Sequence, residues 1–261
     1  MSAAHPDWLQ PLWRDPHVGS LVTTRRGGVS TGRFESMNLR DGLGDADTSV
    51  DANWRRLLDA TGVPVVRLHQ VHGARVVRIG ARDLLPSAPT LEADACWTTE
   101  ASVGCAVQVA DCLPAFMAAP GGVAAAHAGW RGLAGGVLEN TVAALCAGLN
   151  CRPDEIQAWL GPCIGPGRFE VGADVLRAFG RNPDSAPSVD EVGVPDGRFV
   201  ATSPGKWLAD LPGLARDRLQ TLGVTDVSGG EWCTVDDASR FFSFRRDGVT
   251  GRMVAVIWRR G

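Results

Sequence analysis

Apolar and polar positions along this chain follow two rhythms, and the switch between them is sharpest at residues 122–145. Gly122-Val123-Ala124-Ala125-Ala126 is short, apolar and uncharged, which reads as a buried strand. Leu133, Val137, Leu138, Thr141, Val142 and Leu145 then recur at helical spacing. Between them lies Ala126-His127-Ala128-Gly129-Trp130-Arg131-Gly132. A histidine therefore ends a buried strand, and two glycines flank a Trp-Arg pair at the mouth of a helix. Strand ends and helix N-termini are where α/β proteins build sites, because free backbone N–H groups and the helix dipole favour anions there. The other reading is a tight strand-to-helix turn with a satisfied histidine.

The same patterning predicts the remaining elements. Residues 22–30 read as a strand running into a glycine turn, and residues 36–39 as a short polar-apolar segment. Residues 45–49 carry cap chemistry for a helix striped by Val50, Trp54, Leu57 and Leu58, which Gly62 stops before Pro64. Residues 65–73 read as a strand; if it is regular, Leu68, Gln70 and His72 share one face and His69 lies on the other. Residues 75–79 and 94–99 follow as strands, with a polar loop at 86–92 between them. Residues 104–114 form a nearly continuous apolar strand ending in Asp111 and Cys112. Further on come a strand at 156–160, a rigid Gly-Pro loop at 161–166, a helix from Phe169 through Phe179, and an exposed loop at 182–197. A helix at 212–222, residues 225–227, a turn at Asp247-Gly248 and an alternating strand at 252–258 complete the chain. With no tandem repeat and no linker-like break, the pattern predicts one α/β domain of mixed strands with helices packed outside.

Composition narrows the function. The 261 residues have a formal net charge of −3 and no run of Lys and Arg, so no electrostatic footprint for nucleic acid is present. No apolar stretch approaches membrane-spanning length, and residues 1–16 lack the apolar segment of a secretory signal. Seven cysteines, an odd number without Cys-x-x-Cys spacing, argue against a disulfide framework and for a reduced, cytoplasmic compartment.

Candidate chemistry gathers at strand ends. Burying Asp111 demands a hydrogen-bonded partner, which suggests that it supports Cys112 beside it. Taken alone, Cys112 reads as one more inert buried thiol. Together His72, Cys112 and His127 make two imidazoles and one thiolate, a familiar catalytic zinc set that leaves a fourth position for water or substrate. Such a zinc makes hydroxide available near neutral pH.

The motifs TTRRGGVS at Thr23, SMNL at Ser36, HQVHG at His69, ADCLP at Ala110 and HAGWRG at His127 appear in that order. GPCIGP at Gly161, FEVG at Phe169 and FFSFRRDGVTGRM at Phe241 follow. Over almost the full chain they resemble the YfiH/YlmD-like proteins. That family carries the labels "laccase domain", "multicopper polyphenol oxidase" and purine nucleoside phosphorylase, and it includes the mammalian laccase-domain-containing protein. The resemblance implies a single α/β domain over residues 1–261, with mixed sheets flanked by helices, related in fold to a toxin with a Cys-His active site. It also implies a zinc held by His72, Cys112 and His127, which would be the catalytic residues. Phe169 and Phe244 stand where the family commonly has Tyr, and Met37 where Leu is usual.

The resemblance implies zinc-dependent phosphorolysis of adenosine, inosine and methylthioadenosine, with deamination of adenosine besides. The expected partners are a small-molecule nucleoside and phosphate. Arg131 and the helix N-terminus after it are the candidates for the phosphate, and Arg25 and Arg246 weaker ones. Gln70 and Asn38 are expected substrate contacts on the strength of the family motifs, and Glu170 is either a general acid or an ordinary helix-start carboxylate. A second reading is a metal-free Cys-His amide hydrolase acting on peptidoglycan precursors, with Cys112 as nucleophile and His127 or His72 as base. A copper-dependent polyphenol oxidase is disfavoured, because such enzymes use many histidines and this chain has five. Copper at the His-Cys-His site remains compatible with its ligand chemistry. A non-enzymatic binding module would need three ligands that are merely buried.

Overall fold

Gly122–Ala128, the uncharged apolar run, is a strand with every residue buried. The rest of the molecule is layered about it. The computed structural model describes residues 4–183 and 197–261, so most of the expected loop at 182–197 lies outside the described residues.

From the N-terminus the chain forms β1 (Val18–Val22), α1 (Asp47–Thr61), β2 (Val65–Val66), β3 (Leu68–His69), β4 (Val76–Arg78), β5 (Leu91–Glu92), β6 (Ala95–Thr98) and β7 (Gly104–Val109). It continues with β8 (Leu113–Ala119), β9 (Gly122–Ala128), α2 (Trp130–Ala134), α3 (Val137–Leu149), β10 (Gln157–Leu160), β11 (Glu170–Val171) and α4 (Ala173–Ala178). The C-terminal part adds β12 (Phe199–Ser203), β13 (Lys206–Ala209), α5 (Leu211–Thr221), β14 (Asp226–Gly229), α6 (Phe244–Asp247) and β15 (Met253–Arg259).

Two mixed sheets dominate. One has the order β1-β15-β7-β2, with β2 parallel to β7 and the other neighbours antiparallel. The other has the order β14-β10-β8-β9-β6-β4, antiparallel at its centre and parallel at both edges. One face of each sheet packs on the other through Val22, Cys105, Val107, Phe116, Ala125 and Ile257. The outer face of the six-stranded sheet is covered by α3 and α5 through Ala124, Ala126, Leu138, Leu145, Ala215 and Leu219. The outer face of the four-stranded sheet is covered by α1 through Leu21, Val254, Val256, Trp54 and Leu57. The result is a helix–sheet–sheet–helix stack of the mixed α/β class expected from the pattern. Among the described residues no helix is long and apolar enough to cross a membrane.

Several expectations meet the structure closely. The helix predicted to stop at Gly62 does so: Gly62 has a φ of 69° and donates its N–H to the Leu58 carbonyl. The helix predicted at 212–222 is α5, whose first turn is capped by the Asp210 carboxylate accepting the Gly213 N–H.

Others are corrected. The strand expected at 22–30 ends at Val22, where the chain leaves the sheet. The single strand expected at 104–114 is broken at residues 110–112, because Asp111 has a φ of 88°; β7 lies in one sheet and β8 in the other. The helix expected after Gly129 is two helices, interrupted where Gly136 adopts a φ of 91°. Phe169 does not open a helix: Glu170 and Val171 pair with β13, and α4 starts only at Ala173. β15 does not alternate, since its first five residues are all buried between β1 and β7 with layers on both faces.

Candidate metal centre and its cavity

Two connections and the end of one strand, all on one rim of the stack, bring the candidate ligands together. His127 is the penultimate residue of β9 and is buried. Cys112 stands at the corner where the chain passes from one sheet to the other, just before β8. His72 follows β3 after the strand has ended, with a φ of 61°, a left-handed conformation uncommon for a side chain other than glycine. That bend lets Gln70 and His72 line one cavity while His69 stays exposed and outside it. The ligand atoms of His72, Cys112 and His127 lie within 4.8 Å of one another. The two imidazoles meet edge to face, with centroids 4.9 Å apart.

Asp94 organises the cluster. It is fully buried, just ahead of β6. Its Oδ2 accepts the N–H groups of Val71 (3.1 Å) and Gly73 (2.7 Å), and its Oδ1 accepts that of His72 (2.9 Å). Oδ1 also lies 2.8 Å from His127 Nδ1. One carboxylate thus fixes the strained turn that presents His72 and orients the His127 ring so that Nε2 faces the cluster. Burial would raise the Asp94 carboxyl, but these bonds outweigh it and hold it below the usual carboxylate value. Burial also opposes charge on Cys112, yet His127 and His72 bring the thiol down to about 6. Burial opposes the imidazolium as well, but the Cys112 thiolate and Asp94 raise His127 to about 9.

Asp111 supports the thiol from the other side. Its carboxylate accepts the Thr234 hydroxyl (2.5 Å) and the Arg245 N–H (2.6 Å), and its carbonyl accepts the Ile164 N–H (2.9 Å). These bonds hold the φ-positive corner that aims Cys112 at the histidines. Gly129 is required opposite it, since a Cβ there would sit 2.7 Å from Cys112 Sγ. Two imidazoles and one readily ionised thiol suit a borderline-soft divalent ion such as zinc. This is the one such group of three among the described residues. It opens into a cavity of about 450 Å³, whose walls include the rings of Trp130, Phe169 and Phe244 and the guanidinium groups of Arg40, Arg131, Arg245 and Arg252.

A family model described as multi-copper polyphenol oxidoreductase laccase matches residues 19–260. A purine nucleoside phosphorylase of Pseudomonas aeruginosa is 44% identical over 255 residues, covering 96% of this chain and 98% of its own. The purine nucleoside phosphorylase YfiH of Escherichia coli is 42% identical over 257 residues, 97% of each chain. The chain belongs to the YfiH/YlmD family. Among solved structures, a Neisseria meningitidis protein superposes with a TM-score of 0.86 at 43% identity, over 98% of this chain and 100% of that one. YlmD of Geobacillus stearothermophilus gives 0.83 at 35% identity, over 94% and 93%.

The other residues singled out from the sequence of this YfiH/YlmD member fall in two groups. Gln70 and Arg131 line the cavity; Arg131 stacks 4.3 Å over the Trp130 ring at its exposed rim. Asn38, Arg25 and Arg246 do not line it. Asn38 is fully buried with its amide bonded inside the protein. Arg25 donates to the Glu35 and Ala238 carbonyls and stacks over Phe242. Arg246 is spent on the Thr234, Val235 and Phe241 carbonyls and on Asp247. Glu170 is exposed and is not among the residues lining the cavity. The helix expected to point its N-terminus at an anion is short: α2 has five residues, and α3 begins only at Val137.

Sequence reasoning missed Asp94, Gln108, Arg40, Arg245 and Arg252. Asp94 carried the same signal as Asp111, an acid against an apolar strand, and was absorbed into the strand. The arginines carried none, because their convergence arises from tertiary packing alone.

Proposed function

We propose that this protein is a zinc-dependent purine nucleoside phosphorylase that cleaves adenosine, inosine and methylthioadenosine and also deaminates adenosine. The observation that carries this reading is the His72–Cys112–His127 cluster opening into a cavity with aromatic and arginine walls, in a chain whose relatives are named purine nucleoside phosphorylases.

His72, Cys112 and His127 would hold the ion. Zinc bound there supplies Lewis acidity and activates a water near neutral pH. Asp94 holds His127 in the tautomer that leaves Nε2 available, and Asp111 holds the corner that presents the Cys112 thiolate. The rings of Phe169 and Phe244 offer flat apolar surface for a purine, and Phe244 is 58% exposed. In phosphorolysis a phosphate oxygen bonds to the anomeric carbon as the glycosidic C–N bond breaks. The bonding pair leaves with the purine, which takes up a proton. The arginines supply the positive potential that brings phosphate to that carbon.

A metal-free Cys-His amide hydrolase is the second reading, favoured by the lowered Cys112 thiol beside the raised His127 imidazole. Nothing comparable favours polyphenol oxidation: His5, His17 and His69 form no second cluster with other ligating side chains among the described residues.

Base release from inosine and adenosine, with and without phosphate, tests the reading in the wild type, Cys112→Ala and His127→Ala. Phosphate-dependent hypoxanthine release, lost together with zinc in both variants, is expected. A folded, zinc-loaded wild type that releases no base would refute the phosphorylase and turn attention to amide substrates.

A further inference from the structure

The backbones of two arginines in the cavity wall are tied together by one buried amide. Asn38 Oδ1 accepts the backbone N–H groups of both Arg40 and Arg252, each at 3.0 Å. Asn38 Nδ2 donates to the Arg40 carbonyl and to Asp45, each at 2.9 Å, so the amide cannot turn. Arg40 Nη1 donates to Gln108 Oε1 at 2.7 Å. Gln108 is pinned in turn, by its side chain to the Leu39 carbonyl and by its backbone to the Gln70 amide. Arg252 Nη1 donates to the Thr250 and Gly251 carbonyls.

Every hydrogen-bond partner of the two guanidinium groups themselves is neutral. Among the described residues neither guanidinium has a carboxylate within 4.0 Å, whereas Arg198, Arg168 and Arg218 each pair with an acid. The Nε and Nη2 groups of Arg40 and Arg252 have no protein acceptor among the described residues, yet both side chains are half-buried and line the cavity. Two like charges on a partly desolvated wall raise the free energy of the empty protein. At Arg252 burial and then Arg40 lower the pKa, and the nearby Cys112 and Asp111 offset only part of that. An anion between them would relieve both terms, and paired planar forks match tetrahedral oxyanions.

We propose that Arg40 and Arg252 form a clamp for a phosphate dianion in the cavity onto which Cys112 opens, with Asn38 as the positioning residue that ties their backbones together. Arg131, exposed and stacked on Trp130, lies at the rim instead. The phosphate is either free orthophosphate or the 5′-phosphate of a nucleotide. That it acts on a nucleoside rests on the function proposed above; the clamp itself does not.

Calorimetric titration of the zinc-loaded protein with orthophosphate, inosine and inosine 5′-monophosphate tests this, in the wild type, Arg40→Gln, Arg252→Gln and Arg252→Lys. Thermal unfolding confirms that each variant folds. Each Gln variant is expected to weaken orthophosphate binding about tenfold or more and to weaken inosine binding less. Arg252→Lys, which keeps the charge and loses the fork, is expected to fall between. If orthophosphate does not bind but the monophosphate binds more tightly than inosine, and the Gln variants erase that preference, the clamp stands with a nucleotide as its source. If the wild type binds neither phosphate probe, or folded Gln variants bind both as the wild type does, the clamp is overturned. Arginine-dependent orthophosphate binding without any inosine binding would keep the clamp and overturn the nucleoside reading.

Discussion

Asp94 does with one carboxylate what two or three side chains do in many metal sites. It takes three consecutive backbone N–H groups at residues 71–73 and the Nδ1 of His127. Asp94→Asn replaces an acceptor with an amide whose NH₂ cannot accept, so at least one of those bonds is lost. The expected result is a fall in zinc affinity of about tenfold to a hundredfold with the fold retained, read by competition with a chromophoric chelator. Wild-type affinity in that variant would mean that the His127 ring needs no such anchor. That His72, Cys112 and His127 would gather was legible in the sequence, because a thiol and two imidazoles closing apolar runs stand out against their surroundings. Asn38 was legible as important and misread in role. A motif flags a residue without saying whether its amide faces a ligand or the two strands of chain that it ties together.

At the scale of elements, what could be read was whatever local chemistry decides. The ends of α1 and α5 follow from Gly62 and Asp210, whose roles need no distant partner. The break between β7 and β8 does not. Residues 104–114 are nearly all apolar, and it is the bonds from Thr234, Ile164 and Arg245 to Asp111 that turn the chain out of one sheet and into the other. Likewise β11 exists because β13 pairs with it, which no local pattern near Phe169 announces. α5 offers a test of such long-range anchoring. Arg198 grips Asp217 with two bonds of 2.8 Å and Asp210 with one of 2.6 Å. Its hydrogen bonds hold the Asp217 carboxyl below the ordinary value despite partial burial. A depressed native value stabilises the fold above the unfolded carboxylate range near pH 3.9, and the contribution fades as pH falls through the native value. The wild type should therefore lose stability more steeply below about pH 4 than Asp217→Asn does, by no more than about 1 kcal/mol because the pair is partly exposed. Parallel pH profiles in urea denaturation would remove this anchor from the account.

Across the described residues, the two sheets and the segments that cover them form four apolar clusters that exclude water without any bound metal. The candidate centre sits on their rim, with His127 at the end of β9, Cys112 at the β7–β8 corner and His72 in the turn after β3. Cys112 and His127 flank the open end of the β8–β9 hairpin, but His72 joins them only through the turn that Asp94 gathers at residues 71–73, so the unfolded chain holds no local three-ligand chelate for a metal to seize. The geometry appears only when the sheets have paired and Asp94 has met residues 71–73. The expected order is therefore metal capture after the rate-limiting barrier of folding. Saturating zinc should slow unfolding and leave the refolding rate nearly unchanged, as stopped-flow measurements with and without the ion would show; equal acceleration of refolding would mean that the ion helps to build the nucleus. On this account the corner at Asp111 turns metal loading into a checkpoint on completed folding, since a chain that has not closed its two sheets has no place to put the ion.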